Sequence, residues 1–112
     1  MKEADPNGID AKSPGSKLDK NKVRVGLMLK GFSSALLEVA KVTTYGAKKY
    51  SDGGWQSVPD GIERYDDAKG RHLLEGYQYA TDADSNLKHL AMEAWNALAK
   101  LELVLRKERT DD

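Results

Sequence analysis

The stretch Leu87-Lys88-His89-Leu90-Ala91-Met92-Glu93-Ala94-Trp95-Asn96-Ala97-Leu98-Ala99-Lys100-Leu101-Glu102-Leu103-Val104-Leu105 decides the fold. Within it Leu87, Ala91, Ala94, Leu98, Leu101 and Leu105 follow at spacings of 4, 3, 4, 3 and 4, and Leu90, Ala97 and Val104 widen the stripe. That is the period of a helix burying one face against other helices, so a helix over about 86–107 predicts an all-α bundle. Nearly opposite the leucines, His89, Glu93, Asn96 and Lys100 fall within an arc of about 60° at the helical step. Behind the leucine seam, this row is expected to face solvent or a neighbouring subunit. Trp95, at the side of the seam, is expected in an interface.

Two further helices precede this one. Ser33 or Ser34 can cap a helix running from Ala35 to Tyr45 or beyond. If it continues through Gly46, Glu38, Val42, Tyr45 and Lys49 share one edge. A loop marked by Gly53-Gly54 and Pro59-Asp60-Gly61 follows, and it carries Trp55. The next helix is predicted over about 62–79, with Leu73, Leu74 and Tyr77 on one face and Tyr65, Ala68, His72, Gly76 and Tyr79 on the other. Ala68 and Gly76, being small, leave room beside His72 for another backbone or a ligand. Asp82-Ala83-Asp84-Ser85-Asn86 reads as a turn into the leucine helix.

Upstream, Val23, Val25, Leu27 and Leu29 alternate with other residues and predict a short extended lead-in. Residues 1–22 carry Asp5-Pro6-Asn7-Gly8 and Ser13-Pro14-Gly15-Ser16 with little to bury, which reads as a flexible arm. The expected organisation is thus an arm over 1–22 and a helical domain over 23–108. Three main helices form the bundle, with the N-terminal arm extended.

The 112 residues suffice for one domain, and 18 basic residues balance 18 acidic ones. No overall field draws nucleic acid or an anionic membrane, so any recognition of phosphate must be local. Cysteine is absent, which excludes disulfides and thiolate metal sites. No apolar run has the length of a membrane span or signal segment, and the expected location is the cytoplasm. A hydrophobic fraction of 39% with a single Phe makes a thin core, and association of copies into a homo-oligomer is the expected remedy.

The chemistry concentrates in Thr44-Tyr45-Gly46-Ala47-Lys48-Lys49-Tyr50 and the nearby Trp55. Lys48 and Lys49 supply cations for phosphates, and Tyr45, Tyr50 and Trp55 supply aromatic faces for a base. The same residues also suit a basic helix end, where lysines are favoured by the macrodipole. Arg64 and Arg71, seven apart, could make bidentate phosphate contacts or remain solvated charges. His72 and Glu75 are spaced i, i+3 and His89 and Glu93 i, i+4, so each pair can meet on its own helix. Together they could hold a divalent cation, carry out acid–base work, or merely stabilise helices. Asn96, in mid-helix where Asn is disfavoured, hints at a specific hydrogen bond.

With these residues assembled, the chain resembles the phage and bacterial family of dATP/dGTP diphosphohydrolase N-terminal domains, relatives of the all-α MazG-like nucleotide pyrophosphatases. The resemblance runs from about Lys22 to Leu105. It rests on Leu37-Glu38-Val39-Ala40, Tyr45-Gly46-Ala47-Lys48-Lys49-Tyr50, Trp55, Arg64-Tyr65, Arg71-His72-Leu73-Leu74, Asp82-x-Asp84-Ser85-x-Leu87-x-His89-Leu90 and Asn96-Ala97. It implies an often oligomeric helical fold handling purine nucleotides, with Lys48 and Lys49 on phosphates, Tyr50 or Trp55 on the base, and Glu38, His72 and His89 at the reactive or binding centre; the residues themselves add Tyr45, Arg64, Arg71 and Asn96 as nucleotide-binding candidates. His72, His89 and Glu75 would be catalytic, and Glu38 and Glu93 would hold Mg2+. The MazG-type Glu-Glu-x-x-Glu helix motif is absent, and Glu38 stands alone on its helix.

Three functions stay open at this point. An enzyme would cleave a purine nucleoside triphosphate to monophosphate and pyrophosphate, in the host cytoplasm if the chain is phage-encoded. A catalytically silent sponge would use the same pocket to sequester a nucleotide-derived host immune signal. A purely structural helical oligomer would leave the Tyr-Lys-Lys-Tyr stretch without a role.

Overall fold

A computed structural model describes residues 3–111. The chain divides into two compact units, Met1–Phe32 and Ser33–Asp112. In the first, the Asp5 carboxylate is buried and accepts hydrogen bonds from the backbone N–H groups of Asn7 and Lys17, both at 2.7 Å. The Lys20 N–H donates to the Ala4 carbonyl at 2.7 Å, closing this segment into a loop. Helix α1, Val25–Gly31, then ends the unit.

Helix α1 corrects the extended lead-in expected there. The alternation of Val23, Val25, Leu27 and Leu29 has no partner strand, so the backbone satisfies its own polar groups by helical turns. The N–H groups of Leu27 and Phe32 donate to the carbonyls of Arg24 and Met28 at 3.1 and 2.9 Å. Among the described residues the helices therefore number four: α1 and three long ones, α2 (Ser33–Lys49), α3 (Gly61–Gln78) and α4 (His89–Asp111). A 3-10 turn over Gly54–Ser57 lies between α2 and α3. Among the described residues there is no strand, only an isolated antiparallel bridge between Thr81 and Lys88.

In the second unit α4 is the shared partner of α2 and α3. Helices α3 and α4 run antiparallel: Gly61 lies against Leu103, Asp66 pairs with Lys100 at 2.9 Å, and Gly76 lies against His89. The polar row His89, Asn96 and Lys100 thus belongs to the α3-facing side of α4, not to solvent or a neighbouring chain as its position behind the leucines suggested. Glu93, the fourth member of that row, lines an open groove beside His72 and Gly76 of α3, and the other three find partners. His89 meets His72, the Asn96 amide donates to the Met92 carbonyl of its own helix at 2.8 Å, and Lys100 meets Asp66.

Helix α2 packs across α4 through Val42, which is buried with Ala91 and Met92. Trp95 donates from Nε1 to the Thr43 hydroxyl at 3.0 Å and forms an edge-to-face triangle with Trp55 and Tyr65. The Tyr65 hydroxyl donates to the Trp55 carbonyl at 2.7 Å, tying the loop to α3. The buried apolar side chains among the described residues are only Val42, Ala91, Met92 and Ala99. Much of the leucine seam stays open: Leu90 is 71% exposed, Leu101 53% and Leu98 48%.

Helix α4 starts at His89 rather than Asn86 because the turn before it is otherwise engaged. Asn86 has a positive φ of 59°, the Asp82 N–H donates to the Leu87 carbonyl at 2.8 Å, and the His89 N–H donates to the Ala80 carbonyl at 3.1 Å. Residues 80–89 are therefore drawn into a tight reverse turn, and helical hydrogen bonding begins only beyond it.

The two sides of α4 respond differently to truncation. Trp95→Ala is expected to cost about 3 kcal/mol, measured by urea unfolding. Leu101→Ala costs less than about 1 kcal/mol at protein concentrations too low for association. Equal losses at the two positions would contradict this assignment of faces.

Candidate functional site

Antiparallel pairing brings the C-terminal end of α3 beside the start of α4, and there the chain's two histidines meet. His72 Nδ1 and His89 Nδ1 are 2.9 Å apart, so one imidazole donates and the other accepts. Their ring centres are 5.2 Å apart, with the planes inclined by 35°. Glu75 reaches over both, its Oε2 lying 3.5 Å from His89 Nδ1 and 3.8 Å from His72 Nδ1. His89 is 4% exposed and Glu75 is exposed. Gly76 lies beside the His89 Cβ, at a distance where a Cβ would make an ordinary van der Waals contact of 3.4 Å.

The environment sets the charge of this cluster. Burial pushes the His72 imidazole below its usual range; Glu75 opposes that effect, while His89 adds to it. Asp82 is close enough to influence both rings. Its own burial works against ionisation, but hydrogen bonds from the Ser85 N–H at 3.0 Å and hydroxyl at 2.9 Å, reinforced by His89 and His72, hold its carboxyl below the usual range. Position in sequence gave each histidine a carboxylate on its own helix. Across the helix pair, Glu75 serves both.

Glu93 instead lines an open groove of about 290 Å³ together with His72, Gly76, Tyr77 and Lys88. Tyr45, Lys48, Lys49 and Tyr50 lie at the C-terminal end of α2, which reaches the same end of the bundle: Tyr45 packs on the Val42, Ala91 and Met92 cluster, within one turn of His89. Lys49 Nζ sits 5.9 Å from the Tyr45 ring centre and 5.4 Å from that of Tyr50. Tyr50 first, then Tyr45, and more weakly Asp84 hold its ammonium above the usual range. Lys48 is exposed beside it, and Arg71 is exposed next to His72.

The remaining candidates lie elsewhere. Trp55 lines a separate, mainly apolar cleft of about 370 Å³ with Val39, Thr43, Trp95, Leu98 and Leu105. Over its ring lies the Arg106 guanidinium, 5.7 Å from the centre, and Arg106 also donates to Gln56 at 2.7 Å. Arg64, at the start of α3, donates to the Pro59 carbonyl at 3.3 Å. Seven residues separate it from Arg71, about 10 Å along the helix. Asn96 is buried between the two ends, and Glu38 accepts a hydrogen bond from Lys41 at 2.8 Å on α2. Sequence spacing did not anticipate the His72–His89 contact, the nearness of Asp82, or the placement of Arg106 over Trp55. The one signal for the first was Gly76 following His72 by a helical turn.

A profile of the family described as dATP/dGTP diphosphohydrolase, N-terminal, matches residues 12–112, and the chain belongs to that family. Neither the comparison with curated proteins nor that with solved structures gives a match. No helix among the described residues is long and apolar enough to cross a membrane.

The lowered His72 pKa has a signed consequence. Below its ordinary value of 6.5 the unfolded chain takes up a proton that the folded chain resists, so stability rises with pH through the window beneath 6.5. An NMR titration of the imidazole protons is expected to give a His72 midpoint below 6.5. Glu75→Gln removes the charge that favours the imidazolium and lowers the midpoint further. A midpoint that rises on this substitution would contradict the arrangement.

Proposed function

We propose that the chain is a nucleotide-handling subunit whose ligand is a purine nucleoside triphosphate, bound where the ends of α2 and α3 lie at the start of α4. The observation that carries this reading is that the end of α2 bearing Tyr45, Lys48 and Lys49 packs, through Tyr45, on Ala91 and Met92, in the same turn of α4 as His89 of the His72–Glu75–His89 cluster. Lys48, Lys49 and Arg71 supply cations for the phosphates, and Tyr50, beside Lys49, supplies a face for the base. In the hydrolytic form of this reading, water attacks a phosphorus, pyrophosphate leaves, and His72 or His89 accepts the proton. Family membership supports this class of substrate.

Hydrolysis of this kind ordinarily uses Mg2+, an ion that takes carboxylate and phosphate oxygens. The carboxylates here fit it poorly. Glu38 is engaged by Lys41, Glu93 lies on the His72 groove, and neither belongs to the one group of three metal-ligating side chains among the described residues. That scarcity of converging acids favours a second reading, in which the same residues enclose a nucleotide or a nucleotide-derived signal and release it unchanged. A phage could use such a sponge against a host immune messenger in the host cytoplasm.

Association of copies belongs to the same proposal. The leucine seam on α4, with Leu73, Leu74 and Tyr77 on α3, leaves apolar area uncovered in a single chain, and a second copy offers matching surface. Leu98→Glu combined with Leu101→Glu is expected to convert the assembly to monomers in analytical ultracentrifugation. A wild-type chain that sediments as a monomer at all concentrations would refute the assembly.

Incubation with a nucleotide panel and magnesium, followed by mass spectrometry of supernatant and heat-released ligand, separates the two functions. Pyrophosphate and monophosphate over multiple turnovers mark the enzyme; intact ligand recovered in stoichiometric amount, with no products, marks the sponge. Lys48→Ala with Lys49→Ala is expected to weaken ligand binding at least tenfold, or about 1.4 kcal/mol, in calorimetry. Unchanged affinity would remove the two lysines from the site.

A further inference from the structure

We propose that His72, Glu75 and His89 form a binding site for a first-row transition-metal dication such as zinc or cobalt, held by two imidazole nitrogens and one carboxylate oxygen. The three ligand atoms form a triangle with sides of 2.9, 3.5 and 3.8 Å. The circle through those atoms has a radius of about 2.0 Å, which is the length of metal–nitrogen and metal–oxygen bonds to zinc. No other group of three such side chains comes this close among the described residues.

The separation of the imidazole rings, which follows from the 2.9 Å contact of the two nitrogens, is compatible with such a site. Two rings bound to one tetrahedral ion, with bonds of about 2.05 Å, keep their centres roughly 5.2 Å apart. Here the centres are 5.2 Å apart. The Nδ1 atoms face one another at hydrogen-bond distance, so binding requires the donor ring to carry its proton on Nε2 instead and both rings to turn Nδ1 toward the ion. Glu75 and His72 sit one turn apart on α3, and His89 is set by the first turn of α4, so all three ligands stand on helices rather than on loops.

Donor chemistry selects the class of ion. Imidazole suits zinc, cobalt, nickel and copper, whereas magnesium prefers an all-oxygen octahedron. Three protein ligands leave a coordination position for water or a phosphate oxygen, as in zinc sites that act on substrates. His72 also lines the groove that holds Glu93 and Lys88, which gives a small ligand access from solvent. This inference rests on the nucleotide reading and changes one role in it, since imidazoles that hold the ion are not free to accept the proton of the attacking water, yet it is measured with no nucleotide present. Loss of one result therefore leaves the other standing.

The test uses the untagged full-length chain, stripped with a chelator and titrated with Zn2+ by calorimetry and with Co2+ by visible absorption. The expected result is one ion per chain, with the intense d–d bands of low-coordinate Co2+, and persistence of Zn2+ binding in millimolar Mg2+. Glu75→Gln, at an exposed position, is expected to weaken Zn2+ at least tenfold with an unchanged circular dichroism spectrum. His72→Gln is expected to weaken it by about a hundredfold or more, since even residues behind the ligands contribute 10–100-fold. Absence of Zn2+ heat and Co2+ bands in the folded wild-type chain would overturn the proposal. So would equal affinity in wild type and Glu75→Gln, or displacement of Zn2+ by Mg2+.

Discussion

The contact on which the rest of the structure depends is the close approach of α3 to α4 at Gly76 and His89. There the helices come near enough for the His72 and His89 rings to meet nitrogen to nitrogen. That approach fixes the antiparallel register, which the Asp66–Lys100 pair and the Gly61–Leu103 contact repeat further along. It also decides how α4 is used. Once its polar row is committed to α3 and its Ala91–Met92 edge to Val42 of α2, much of the leucine seam has nothing within the chain to cover it.

A polar interface of this kind is tolerable because its side chains find partners. Buried polar groups cost free energy chiefly when they lack hydrogen bonds. Here no buried side-chain nitrogen or oxygen among the described residues lacks one. The same arrangement concentrates chemistry. Two imidazoles, the Glu75 carboxylate and the nearby Asp82 lie at one end of the bundle, with Lys48 and Lys49 on the neighbouring end of α2.

Helix identity was legible in the sequence because a 3.6-residue period over some five turns admits no other reading of α4. Which face meets which partner was not. Leucine spacing marks a surface that must be buried, but it does not say whether the same chain or another copy buries it. Polar His89 and Lys100 looked like an outer face because their partners, His72 and Asp66, lie far away in sequence. The α1 region failed for a related reason: period two describes side-chain alternation, and without a partner strand the backbone turned helical instead. Of the proposed site, Tyr45, Lys48 and Lys49 were recognisable by residue type. The shared use of Glu75 by both histidines required the helix register, which single-helix spacing does not contain.

The central claim is that a purine nucleotide binds where the ends of α2 and α3 meet the start of α4. Its most direct test is mapping of backbone amide chemical shifts during titration with dATP and dGTP. The account predicts that the largest changes fall on Lys48, Lys49, Arg71, His72 and His89. Changes confined to Trp55, Arg64 and the apolar cleft, or no saturable change with either nucleotide, would contradict it.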